Sequence, residues 1–277
     1  MSVVLGQAGL MEALSHEMTP KFLATRSADG IPNVVPCTSL MPAGEGAPQD
    51  RLILGNFLLR KSVANLDSDP RVGILVVTTD LEGWVLQGDF VEWQRAGPYV
   101  DRLNNTDLLR YNAYTGIRNA GVIEVTSAVF AFRLSKLRVL VDYVLARAAR
   151  GSVQRESQRE KATAMPQVVQ EKFTPMTAVR VLAHLDGAGY PLVAPVLSLQ
   201  PAGDRALVCA PGPAAGLLSA IAPGAPVAAN LLTLDIVSFQ AKGRWLGTRQ
   251  LLGSPVGGMS VEAVYAGGPP IPGRRVA

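Results

Sequence analysis

An internal repeat constrains this chain more than any other feature. Laid on each other at a constant offset of 159, segments 23–44 and 182–203 agree at 11 of 22 positions without a gap, where unrelated segments of this composition would share about two. The shared residues include Gly30 and Gly189, Gly44 and Gly203, Pro32 and Pro191, Pro36 and Pro195, and Pro42 and Pro201. Those two residue types mark where a backbone turns or a strand lies at an edge. A chain that repeats its punctuation is expected to repeat its fold. Residues 1–136 and 165–277 therefore read as two copies of one domain, joined by a helical connector over 137–164. The repeat continues more weakly, with Arg51–Leu54 answering Arg205–Val208, Gly88 answering Gly243, and Ala128–Phe130 answering Ala263–Tyr265.

Within the first copy, Asp29-Gly30 supplies a turn that tolerates positive φ between strands expected over 22–25 and 31–40. Further strands are expected over 51–55, 71–78, 83–93 and 122–132, with isolated helices near 5–15, 61–66 and 99–116. Short strands with hairpin-like joints point to a mainly β fold, an antiparallel barrel with peripheral helices, rather than a doubly wound parallel sheet. Beyond Leu134 the apolar positions take helical spacing. The stretch from Arg147 to Lys161, where five cations outnumber Glu156 and Glu160, then reads as a polar, solvent-exposed connector.

Composition removes several classes. No apolar run reaches the roughly 18 residues of a membrane span, and the first residues lack a cationic stretch ahead of their apolar ones. A cytoplasmic protein without membrane contact is expected. The formal charge of +4 is spread along the 277 residues, which gives nucleic acid no basic stripe to follow. Cys37 and Cys209 lack CxxC spacing and read as buried thiols, with no metal site. His16 and His184 stand alone in structural settings, no Ser/His/Asp set appears, and no GxGxxG follows a strand.

What remains is a corner. Arg60, Lys61 and Ser62 fall between two strands where a helix opens, which places two cations and a hydroxyl beside unpaired backbone N–H groups. The same pattern describes either a phosphate site or a solvated helix start with ordinary surface cations. The second copy offers Pro213, Ala214, Ala215 and Gly216 at that place, with neither cation nor hydroxyl.

Three motifs in order, F-L-A-T-x-x-x-D-G-x-P-N-V-V-P (22–36), K-S-x-x-N-L-x-x-D-P-R-V (61–72) and L-Q-G (86–88), resemble the FMN-binding split barrel of the pyridoxamine-phosphate-oxidase-like family. The resemblance covers residues 8–133 well and 165–266 as a degenerate copy. It implies two tandem split β-barrels forming an intrachain pseudo-dimer, with FMN in the cleft between them. Position by position, it implies that Lys61 and Ser62 hold the phosphate with Arg60 as a second cation. Pro36, Cys37 and Thr38 would edge the ring, Gly55 and Asn56 would contact it from the next strand, and Gln87 would add a polar contact. Trp245 of the second copy would cover the ring edge.

A flavin brings its own redox chemistry, so an FMN-dependent oxidoreductase acting on a small molecule is the leading expectation, with no catalytic side chain assigned. A non-catalytic flavin or electron carrier is the alternative, as is a split barrel using deazaflavin (F420) or haem. Association of pseudo-dimers with each other stays open.

Overall fold

The computed structural model describes residues 2–4, 6–57, 59–106, 117, 119–268 and 271–277. The first half contributes β1 (Lys21–Arg26), β2 (Pro32–Pro36), β3 (Met41–Pro42), β4 (Arg51–Gly55), β5 (Arg71–Val77), β6 (Glu82–Gln94) and β7 (Ala120–Arg133). They form one antiparallel sheet in the order β2-β1-β5-β6-β7-β4-β3. The second half contributes β8 (Val179–Leu185), β9 (Pro191–Pro195), β10 (Gln200–Pro201), β11 (Ala206–Cys209), β12 (Pro226–Leu232), β13 (Ser238–Leu251) and β14 (Ser254–Ala266). Their order, β9-β8-β12-β13-β14-β11-β10, is the same topology strand for strand.

Closure of each sheet follows from one connection. The strand expected over 31–40 stops at Pro36, and a turn closed by the Leu40 N–H on the Cys37 carbonyl at 3.2 Å leads into β3. β2 and β3 lie at opposite edges of the sheet, yet a linker this short reaches only about 17 Å. A flat sheet of this many strands would be roughly 29 Å across. The sheet must curl until its edges approach, and the result is a split barrel. The second half repeats the device, with β9 and β10 at its two edges. Gly30 and Gly189 take φ of 72° and 80° in the hairpin turns. The Ser39 hydroxyl accepts from the Gly55 N–H at 3.0 Å, as the Ser198 hydroxyl does from the Ala210 N–H at 3.0 Å.

Strands β1, β5, β8 and β12 are buried on both faces. Inside the first barrel lie Leu23, Leu52, Leu54, Ile74, Trp84, Leu86 and Ile123. The opposite faces of the same strands, Phe22, Ala24, Leu75, Val77 and Val85, meet Val181, Ala183, Val193 and Ala228 of the second barrel. This explains why β5 and β8 read as near-continuous apolar runs rather than alternating ones.

Three expectations about helices change. The helix expected near 99–116 is seen as Pro98–Asn104, and residues 107–116 lie outside the described residues. The helix expected near 5–15 is Leu10–Ser15, with residue 5 likewise outside them. The segments read as an apolar helix and an exposed connector are one helix, Lys136–Ser157, whose Ala146, Ala149, Val153 and Ser157 are buried. Val153 packs so closely that a Cβ on Gly258 would come within 2.6 Å of it, so this helix lies on the second barrel and is not polar all round. Among the described residues no helix is long and apolar enough to cross a membrane.

The helix α2 (Arg60–Leu66) seals the first barrel with Leu66, which is 4% exposed, and packs the partly buried Val63 beside it. Leu66→Ala removes a buried side chain without a replacement and is expected to lower stability by about 2–5 kcal/mol. A chemical-denaturation midpoint equal to that of the parent chain would remove Leu66 from the core.

Candidate functional site

The corner between β4 and β5 is a cleft shared by both barrels. Lys61 and Ser62 line it from α2 and Asn33 and Val35 from β2, while Gln240 and Tyr265 face them from β13 and β14. The Lys61 ammonium sits 2.9 Å from the centroid of the Tyr265 ring, and the Lys242 ammonium lies 5.9 Å from the same centroid on β13. Burial pulls Lys61 down to about 8, helped by Arg275, and burial with Lys61 beside it pulls Lys242 down to about 7. Among the described residues neither lysine forms an ion pair with an Asp or Glu. Two lysines from opposite barrels thus converge on one aromatic ring, with no carboxylate side chain paired to either among the described residues, an arrangement that an anion would complete. The closed cleft measures about 20 Å³, room for about one water. The donor set fits a phosphate, and admitting one requires the cleft to widen.

Ser62 is 1% exposed, and its hydroxyl accepts from the Asn33 side-chain amide at 3.2 Å. It therefore lies inside the corner rather than on its outer surface. Arg60 is exposed at the helix start, outside the residues lining the cleft. Leu59 precedes the helix without a side-chain cap. Asn65 donates to the Thr25 hydroxyl at 2.9 Å, which ties α2 back to β1. At the equivalent place His184 bonds the Leu217 carbonyl at 2.8 Å. His184 therefore does in the second barrel what Thr25 does in the first, and burial holds it below its usual range.

The ring-edge residues are brought together but do not line the Lys61 cleft. Ser39 joins the Pro36–Thr38 segment to Gly55. Cys37 points into the barrel core, where burial pushes its thiol up to about 11. Thr38 is exposed, and Pro36 and Asn56 are half-buried. A Cβ on Gly55 would come within 2.0 Å of Ile117, so that face of Gly55 is covered.

Two residues fall elsewhere. Gln87 donates to Asp186 of the second barrel at 2.7 Å, within a clasp in which Arg26 and Arg71 also donate to the carbonyls of Gly189 and Ala188 at 3.0 and 2.9 Å. The Tyr190 hydroxyl completes it on Asp89 at 3.1 Å. Trp245 is 1% exposed in the core of the second barrel, where its ring fills the space that a Cβ on Gly257 would need. It has no surface to lay on a ligand in the cleft.

Sequence reasoning missed Lys242 and Tyr265, although the signal was present. Gln87-Gly88 and Lys242-Gly243 sit at matching bulges in β6 and β13, so Lys242 stands where the first copy has Gln87.

No family model and no curated protein matches the chain. Solved structures do match, each over less than half of it. An FMN-binding protein from Syntrophomonas wolfei subsp. wolfei is 19% identical over 48% of this chain and 88% of its own, with a TM-score of 0.38. HupZ of Group A Streptococcus is 18% identical over 45% and 94%, with a TM-score of 0.36. An F420 reductase is 20% identical over 43% and 94%, with a TM-score of 0.33. The likeness is one of fold.

The lysines would make binding of an anion in this cleft pH-dependent. A bound anion favours their charged forms, so binding takes up protons, and affinity falls as pH rises through the range near 7 to 8 where they titrate. A phosphate monoester is already a dianion there, since its second pKa is about 6. Folding stability moves the opposite way: the unfolded chain holds these protons up to about pH 10, so stability rises with pH between the two limits. Calorimetric titration with a phosphate monoester between roughly pH 6.5 and 9 is expected to show falling affinity, with a shallower slope in Lys242→Met. A flat profile in the parent chain would contradict the assignment.

Proposed function

We propose that the chain binds FMN, one molecule per chain, in the cleft between its barrels, and acts as an FMN-dependent oxidoreductase on a small-molecule substrate. The observation that carries this reading is the convergence of Lys61 and Lys242 on Tyr265 from opposite barrels, with no Asp or Glu paired to either among the described residues. Partly buried cations that make no ion pair with an Asp or Glu among the described residues are costly, and a terminal phosphate would supply that charge. Bound flavin would supply the redox chemistry. The chain's part is to hold the phosphate through Lys61 and Lys242, with Ser62 and Asn33 in the same corner. The Pro36–Thr38 and Gly55–Asn56 segments, joined through Ser39, are the candidates to edge the ring. No side chain is assigned to proton transfer.

The phosphate reading predicts discrimination between flavins. Charge-assisted hydrogen bonds contribute about 1.5–3 kcal/mol each, so FMN should bind much more tightly than riboflavin. Lys61→Ala and Lys242→Ala should each weaken FMN by roughly tenfold or more while leaving riboflavin nearly unchanged. Fluorescence titration of both flavins measures this, and equal affinity of the parent chain for the two would sink the reading. The absorption spectrum of the protein as purified separates FMN from deazaflavin and haem, and anaerobic bleaching on adding a reductant substrate separates an enzyme from a carrier.

Stoichiometry follows from the asymmetry. The second barrel offers Pro213–Gly216, at its counterpart of α2, to the β7 side of the first, with no cation to neutralise a phosphate. One FMN per chain is expected from flavin released by denaturation, quantified against chain concentration. A ratio near two would show that the other cleft also binds.

A further inference from the structure

The lysine cleft is closed by the chain itself. Tyr265 lies over Lys61; its backbone pairs with Gln240 of β13 on one side and on the other with residues 271–277, which run back along the end of β14. The Gly273 N–H donates to the Ala266 carbonyl at 2.7 Å and the Ala266 N–H to the Arg274 carbonyl at 3.0 Å. The Val276 N–H donates to the Val264 carbonyl at 2.8 Å, the Val264 N–H to the Ala277 carbonyl at 2.9 Å, and Tyr265 pairs with Arg275 in a β-bridge. This short ribbon crosses from the second barrel to the first, since a Cβ on Gly273 would lie 4.0 Å from the Cβ of Arg60. None of residues 271–277 is buried. The strap is attached by ribbon hydrogen bonds and by Val276 and Ala277, which pack, partly buried, against the edge of the second barrel's core; with no fully buried residue it is a segment that can open locally without unfolding its barrel.

We propose that Tyr265 and the strap 271–277 form a gate: the aromatic ring is a self-ligand on Lys61, and an anionic ligand enters only after ring and strap swing away. The proposal rests on the flavin reading for the identity of the ligand, and on the closed cleft alone for the gate. A neutral ring offers a lysine only the attraction of its π face, whereas a phosphate offers charge-assisted hydrogen bonds to both lysines, so the ligand wins the exchange once the gate is open. Arg275 travels with the strap. Its guanidinium donates to the main-chain oxygens of Ala277 at 2.7 Å and Glu262 at 3.1 Å. It adds positive charge next to Lys61 in the closed state.

Two readouts test the gate, and only one needs flavin. In the first, the intact chain is treated at pH 7.5 with an amine-acylating reagent, and labelling of Lys61 is followed by mass spectrometry with exposed Lys136 as the internal standard. Lys61 should react slowly in the parent chain, and roughly tenfold or more faster both in Tyr265→Leu and in a chain lacking residues 269–277. Unchanged Lys61 labelling in the shortened chain overturns the gate, whether or not flavin binds, and the point variant guards against a truncation that misfolds. In the second, stopped-flow mixing with FMN should give a rate that saturates with FMN concentration in the parent chain and rises linearly in both variants. A linear dependence of the same slope in all three also overturns it. Fast labelling in the variants with no FMN binding by any chain would uphold the gate and overturn the flavin reading instead.

Discussion

Gly73 brings the two barrels into contact. Its strand lies so close to β9 that a Cβ there would come within 2.1 Å of the Pro191 carbonyl oxygen, and no side chain fits that gap without the barrels moving apart. Around this point the outward faces of β1 and β5 meet those of β8 and β9 through Phe22, Ala24, Leu75, Val181, Ala183 and Val193. The contact is made of buried apolar side chains, so it fixes the distance between the barrels closely. Everything at the cleft depends on that distance, because Lys61 belongs to one barrel and Tyr265 and Lys242 to the other.

Two related halves need not stay equivalent once they share a chain, since symmetry no longer forces a change in one to appear in the other. Here they differ in charge. Arg26, Arg71, Gln87 and Asp89 of the first barrel close on the hairpin turn 186–190 of the second, and Asp69 between the two arginines is held below the usual carboxylate range chiefly by Arg71. Every charge in that clasp has a partner. At the bulge position matching Gln87 the second barrel carries Lys242, which faces another cation instead of a carboxylate. The satisfied arrangement contributes to docking. The unsatisfied one is where a ligand has something to add.

Much of the fold was legible in the residues. The offset of 159 foretold paired turns at Gly30 and Gly189 and matching strands at Pro32–Pro36 and Pro191–Pro195, because glycine and proline act on the backbone locally and need no partner to do so. The corner at Lys61 and Ser62 was legible for a similar reason, as a polar interruption between apolar strands. Trp245 was not, since a large aromatic in a strand reads alike whether it faces a ligand or a core. Gln87 was misplaced because its amide is committed to Asp186, 99 residues away in sequence.

The sequence by itself determined the strands, their turns, the repetition of one barrel and the polar corner at Lys61 and Ser62, all set by local backbone preference and by the alternation and interruption of apolar residues. The tertiary structure alone decided that Lys242 and Tyr265 face Lys61, that Ser62 is buried, that the helix Lys136–Ser157 packs on the second barrel, and that residues 271–277 cover the cleft. Those facts depend on which faces of two separately folded barrels come together, and docking between surfaces far apart in the chain leaves no period or motif in the order of the residues.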